Sequence, residues 1–175
     1  MKTKTALVTV AVVGMLAMSI QPASAHARAK LDLNDSPSPL DIRGAAFGHT
    51  SARVMTIMGT YGRWRASVLS KRDTAVYFTY DTVGGPKFDY FVWVHYRSGR
   101  LVAKLRKVVT GGSVYLQKVP VKKDGKFVSV NFRSRLIRAS GYLRWKVFTS
   151  FASSNFCKNT CWDSAPNRGM VPHDL

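Results

Sequence analysis

The residue types best suited to holding a ligand fall between Thr74 and Val109. This stretch reads T-A-V-Y-F-T-Y-D, a V-G-G-P loop, F-D-Y-F-V-W-V-H-Y-R, a Ser98-Gly99 turn and R-L-V-A-K-L-R-K-V-V. Three runs rich in β-branched and aromatic residues, parted by turn dipeptides, are the signal for strands joined as hairpins. A two-residue turn at Ser98-Gly99 sets Tyr96 against Leu101, Val94 against Ala103 and Val92 against Leu105, all apolar. Across the 81–89 connection, Val76, Phe78 and Tyr80 pair with Val94, Val92 and Tyr90. The opposite parity gathers Tyr77, Phe91, Trp93, His95, Lys104 and Arg106 on one face. Aromatic faces stack on sugar rings or bases, and lysine and arginine hold phosphate or carboxylate. Such a platform is the chemistry of a binding protein. The competing arrangement covers these aromatics with a loop or a second sheet, so that only the cationic tips emerge.

Other chemistry is thinner. Asp32, Asp35 and Asp41, with Asn34 among them, form the densest acidic cluster of the chain. Hard oxygen ligands close in sequence suit Ca²⁺, although the spacing is not that of an EF-hand; a set of Asx-turns leading into a strand is the plainer expectation. Ca²⁺ is the one cofactor candidate. No G-x-S-x-G, H-E-x-x-H or phosphate-cradling glycine loop is present. Asp81 and Asp89 are the one carboxylate pair expected to lie close, with loop capping as the competing role, and His49 and His95 have no legible partner. A hydrolase using Asp residues is accordingly the weakest reading. Arg63-Trp64-Arg65 reads either as a ligand-reaching loop or as a tryptophan plugging a sandwich edge.

The ends of the chain set its compartment. Lys2 and Lys4, the apolar run Ala6–Ile20 and Ala23-Ser24-Ala25 make a cleavable export signal over residues 1–25. The apolar run is shorter than the roughly 20 residues that span a bilayer, so no membrane anchor is expected after cleavage. A secreted protein follows. Of the 175 residues, 27 are basic and 9 acidic, a net charge of +18; removing the leader removes two lysines and leaves +16. That charge favours an anionic polymer of the cell envelope, with nucleic acid bound only non-specifically. In an oxidising compartment Cys157 and Cys161 are expected to form a disulfide, against the alternative of a metal site with His173.

All nine acidic residues are Asp, and the absence of the helix-forming Glu suits a strand-and-loop protein. Leu40–Phe47 alternates with Asp41 and Arg43 outward, and Arg53–Gly59 is apolar at both parities, as if covered on both faces. Ser113–Val121 and Lys126–Arg133 are expected to pair about an Asp124-Gly125 turn, setting Val121 against Val128, with Pro120 confining its strand to an edge. Ser134–Ser140 suggests a short helical turn. Tyr142–Phe151 reads as the last strand, with Leu143, Trp145, Val147 and Phe151 on one side and Arg144 and Lys146 on the other. The expected architecture is all-β: one antiparallel sandwich of about eight strands, a jelly roll being one form of it. Its parts are a polar segment at 26–39, the sandwich at 40–156 and a disulfide-pinned tail of turns at 157–175.

The motifs L-D-I-R, Y-D-T-V-G-G…F-D-Y and C-K-N-T-C-W-D-S-A-P-N-R-G together resemble small secreted, β-rich actinobacterial proteins of uncharacterised role, and the middle one is distantly similar to jelly-roll carbohydrate-binding modules. The resemblance implies a sandwich, in some cases with a structural Ca²⁺, and brings no catalytic residues. The reading is a secreted, non-catalytic binding protein for an anionic envelope polymer or glycan. The alternative is a structural or interaction protein of the envelope with no small ligand.

Overall fold

The computed structural model describes residues 26–50, 52–139, 141–152 and 160–174. The expected export signal at 1–25 and Cys157 lie outside them. Twelve strands are present among these residues: β1 (His26–Leu31), β2 (Ile42–His49), β3 (Arg53–Thr60), β4 (Ala75–Asp81), β5 (Tyr90–Arg97), β6 (Arg100–Val109), β7 (Gly112–Val119), β8 (Val121–Asp124), β9 (Phe127–Arg133), β10 (Tyr142–Ala152), β11 (Thr160–Ala165) and β12 (Val171–Asp174). They form two antiparallel sheets packed as a sandwich. One has five strands in the order β1-β2-β3-β9-β8; the other has seven, β11-β10-β4-β5-β6-β7, with β12 also pairing β10. Neither sheet is closed or curled. No helix among the described residues is long and apolar enough to cross a membrane.

The central meander has the register read from its residues. Val76, Phe78 and Tyr80 pair with Val94, Val92 and Tyr90, and Tyr96, Val94 and Val92 with Leu101, Ala103 and Leu105. Ser98 and Gly99 both take positive φ, as a turn matched to the strand twist requires. The inward parity buries Val76, Phe78, Val92, Val94 and Leu105 against Phe47, Val54, Met58, Val128 and Phe132 of the other sheet. A polar bond crosses the middle of this core, Tyr80 Oη to Thr56 Oγ1 at 2.8 Å. Burial pushes the Tyr80 phenol above its usual range. Removing either partner strands a buried hydroxyl, so Tyr80→Phe and Thr56→Val are each expected to cost about 1–2 kcal/mol in urea unfolding. The double variant should lose less than their sum, and strict additivity would mean that the bond contributes nothing.

Several expectations are corrected. The strands among the described residues number twelve rather than about eight, because β1 lies in the segment expected to be polar coil, β11 and β12 in the segment expected to be turns, and Pro120 divides the expected Ser113–Val121 strand into β7 and β8. Backbone pairing therefore holds the C-terminal region: β11 and β12 lie end to end along one edge of β10. Of the expected Cys157–Cys161 bridge, Cys157 lies outside the described residues, while Cys161 is buried on the inward side of β11 and is not a free thiol. The β8–β9 hairpin turns at Gly125-Lys126, so Val121 pairs with Val130 rather than Val128. Glycine with positive φ takes the first turn position, which selects the Gly-first hairpin turn over the Asp-Gly one. The slip is two residues, so the inward face is unchanged. Asp41 is buried rather than outward, and β3 is covered on one face only, since Met55 is exposed on the other. Pro120 does sit at an edge. It is the single residue between β7, outermost in one sheet, and β8, outermost in the other.

Candidate functional site

The residues expected on the outer face of the seven-stranded sheet do share it, but they divide into two groups. Trp93 stacks on His95 at 4.2 Å with planes 23° apart, and Lys104 Nζ lies 5.5 Å from the Trp93 ring. The 3-10 turn Ala66–Ser70 packs against β5, leaving His95 buried and Trp93 half-buried. Burial and then the Lys104 charge hold the His95 pKa below its usual value. Arg106 donates to Ser113 through Nε and a terminal nitrogen, both at 2.9 Å, which ties β6 to β7. This flank is the partly covered one.

Tyr77 and Phe91 belong to a second, more open group. Tyr77 faces Phe148 across the β4–β10 ladder, and their rings stack at 4.8 Å and 20°. Trp162, on the neighbouring strand β11, lies 5.9 Å from Phe148 and 6.4 Å from Tyr77 by ring centroids. Phe88 completes the group edge-on to Phe91 at 5.9 Å. Trp162 is 61% exposed. Beside these rings lies a cleft of about 740 Å³ lined by Phe88, Phe148, Trp162, Lys146, Asn167 and Asp35 among others. Burial lowers the Lys146 pKa, while the Asp32 charge acts in the opposite direction.

The cleft wall formed by residues 82–89 is held by two carboxylates. Asp81 Oδ1 accepts from the Val83 and Gly84 N–H groups, and Asp89 Oδ2 from the Thr82 N–H and hydroxyl and the Val83 N–H. The other Asp81 oxygen takes Arg144, whose guanidinium also donates to the Gly85 carbonyl. Burial pulls the Asp81 carboxyl upward, but Arg144 and the two N–H groups outweigh it and hold the pKa below the usual carboxylate value. The Asp81–Asp89 pair thus caps a loop and positions Pro86 and Phe88.

The acidic candidates come together in part. Asp32, Asp35 and Asp163 each place a carboxylate oxygen within 4.8 Å of the others. Asp41 stands close by and accepts the Ser36 N–H at 3.2 Å. Asp163 accepts from Ile42 N–H at 2.5 Å and Ser164 N–H at 2.6 Å, and Asn167 donates to Asp35 at 3.2 Å. Burial, then repulsion from Asp163, raises the Asp32 pKa to about 7. Burial raises that of Asp41 to about 6, with the Ser36 N–H opposing.

The remaining candidates are structural. Trp64 is buried beneath Lys123, whose Nζ lies 4.5 Å from the ring, while Arg63 and Arg65 point to solvent. His49 Nδ1 and His173 Nε2 meet at 2.7 Å in the core, which places His173 in a cross-sheet contact.

Comparison with known protein families, curated proteins and solved structures returned no match. The geometry therefore carries the functional reading. Phe88, Lys146, Phe148, Trp162, Asp163 and Asn167 escaped the reading of the sequence. Phe148 and Lys146 share an outward parity on β10, so alternation alone could have placed the ring beside the ammonium. Trp162 and Asp163 sit on a six-residue strand in a segment dense with turn residues, and only the pairing with β10 reveals their faces.

Proposed function

We propose that this chain is an exported, non-catalytic binding protein that takes a glycan or anionic polymer of the cell envelope along the cleft edged by Trp162 and Phe148. The observation that carries the reading is the row Tyr77–Phe148–Trp162, ending in an exposed indole beside a cleft that sets Pro86, Phe88 and Met170 among an ammonium, an amide, hydroxyls and carboxylates. Large exposed aromatics beside a few convergent polar groups suit a ligand with apolar ring faces and polar edges. A net charge of +18 favours an anionic chain over a neutral one.

The test is retention of the purified chain on immobilised wall polymer, with and without Trp162→Ala. Stacking on an aromatic ring contributes about 1–3 kcal/mol by truncation, so retention should weaken roughly tenfold or more. For an anionic polymer it should also fall steeply between about 50 and about 200 mM salt. Undiminished retention of the Trp162→Ala chain would remove the cleft from the proposal.

A second reading, an interaction protein without a small ligand, is favoured by the opposite outer face. There Leu31 and Phe127 are exposed at a groove of about 410 Å³ lined also by Ala29, Ala46 and Ile57, and Met55 is exposed on the same face. Capture of a partner protein that competes with no glycan would favour it.

A further inference from the structure

We propose that Asp32, Asp35 and Asp163 form a calcium site that clamps the loop before β2 to strand β11. Among the described residues only Arg72–Asp73 and Arg144–Asp81 make ion pairs. In a chain with 27 basic residues and 9 acidic ones, these three carboxylates converge with no basic partner in contact; Lys146 acts on Asp32 only through its field. Like charges at this separation repel unless a cation lies among them or a proton is taken up.

A second observation points to a ligand. Asp32 is 91% buried, with 9% of its surface exposed, and its Oδ2 lies out of solvent with no hydrogen-bond partner. A buried carboxylate oxygen left without a donor is strongly disfavoured; a proton or a bound cation removes the penalty, and only the cation also draws all three carboxylates together. The spacing fits. Oxygens at about 2.3–2.6 Å from a common Ca²⁺ lie at most about 5 Å apart, and the three carboxylates fall within 4.8 Å of one another. The donors are hard oxygens, with no His or Cys in the cluster, which suits Ca²⁺ over Zn²⁺ or Cu²⁺. Asp35 and Asp163 also line the open cleft, so water can enter to complete a shell of about 6–8 oxygens. Asp163 is already oriented by the Ile42 and Ser164 N–H groups, each of which leaves its oxygen a further lone pair for metal.

The test needs no glycan, so its outcome is independent of the polymer reading. The purified chain is stripped with chelator and titrated with calcium chloride, following the heat of binding and the thermal midpoint. One saturable site is expected, with a rise in midpoint that chelator reverses. Magnesium chloride should give a much smaller rise, because Mg²⁺ demands a tighter octahedral shell. Asp35→Asn alters an exposed side chain and is expected to fold at or above the wild-type midpoint in chelator while binding calcium at least tenfold more weakly. Asp32→Asn should abolish the calcium response. The proposal is overturned if the wild-type midpoint is the same in calcium and in chelator, or if both variants respond to calcium as the wild type does.

Discussion

Arg144→Met is expected to destabilise the chain by about 3–5 kcal/mol at neutral pH, the range for breaking a buried ion pair from one side. Asp81 is fully buried, whereas the Arg144 side chain is 27% exposed. The carboxylate thus depends on the guanidinium far more than the reverse. Two backbone N–H groups remain on Asp81 Oδ1, but Oδ2 loses its donors. The pH dependence follows from the lowered folded-state pKa of Asp81. A carboxyl held below its unfolded value contributes stability above about pH 4, and that contribution is lost as the pH falls through the folded value. The deficit of Arg144→Met relative to wild type should therefore shrink as acid protonates Asp81 in both. Urea unfolding at pH 7 and at pH 3 measures this. A deficit that is unchanged or larger in acid would show that Arg144 acts through packing alone. Because Arg144 also holds the Gly85 carbonyl, the variant should loosen the loop bearing Phe88 and weaken ligand retention.

Trp145→Ala should be as damaging, at about 3–5 kcal/mol, through the cavity it leaves. Trp145 is fully buried, stacks on Phe47 at 5.9 Å and 18°, and pairs in the ladders with Tyr80 on one side and Val171 on the other. It therefore touches both sheets and the one strand that closes the end of β10. Its indole Nε1 is buried without a hydrogen-bond partner, so Trp145→Phe removes an unsatisfied donor along with part of the ring. That variant is expected to lose well under half as much as Trp145→Ala. Equal losses in the two would mean that ring packing is not what Trp145 contributes.

These two residues mark how much could be read in advance. The inward placement of Trp145 follows from period-two alternation along β10, a local pattern that needs no knowledge of the rest of the chain. The same holds for the β4–β5–β6 registers, which two short connections determine once the apolar parity is chosen. The pairing of Asp81 with Arg144 joins residues 63 positions apart, and Asp163 meets Ile42 across 121 positions. Contacts of that kind depend on which strands neighbour each other, and neither composition nor spacing encodes it. The aromatic face shows both cases at once. Parity put Tyr77 and Phe91 on it correctly, but the covering of Trp93 by the Ala66–Ser70 turn and the arrival of Trp162 from β11 are products of topology.

The two long margins of the sandwich are closed by different means. At one, Pro120 joins β7 to β8 covalently across the gap between the sheets. At the other, β2 meets β10, β11 and β12 through non-covalent bonds: Ile42 to Asp163, Thr149 to the Leu40 carbonyl, and His49 to His173. The molecule is thus built like a bound book, with its spine at Pro120 and a clasp along the opposite margin. Partial opening, when it occurs, is directed to the clasp side, where the acidic cluster and the Trp162 cleft lie. Any ligand or ion that bridges that margin fastens the covers, and so acts on the whole fold from its edge.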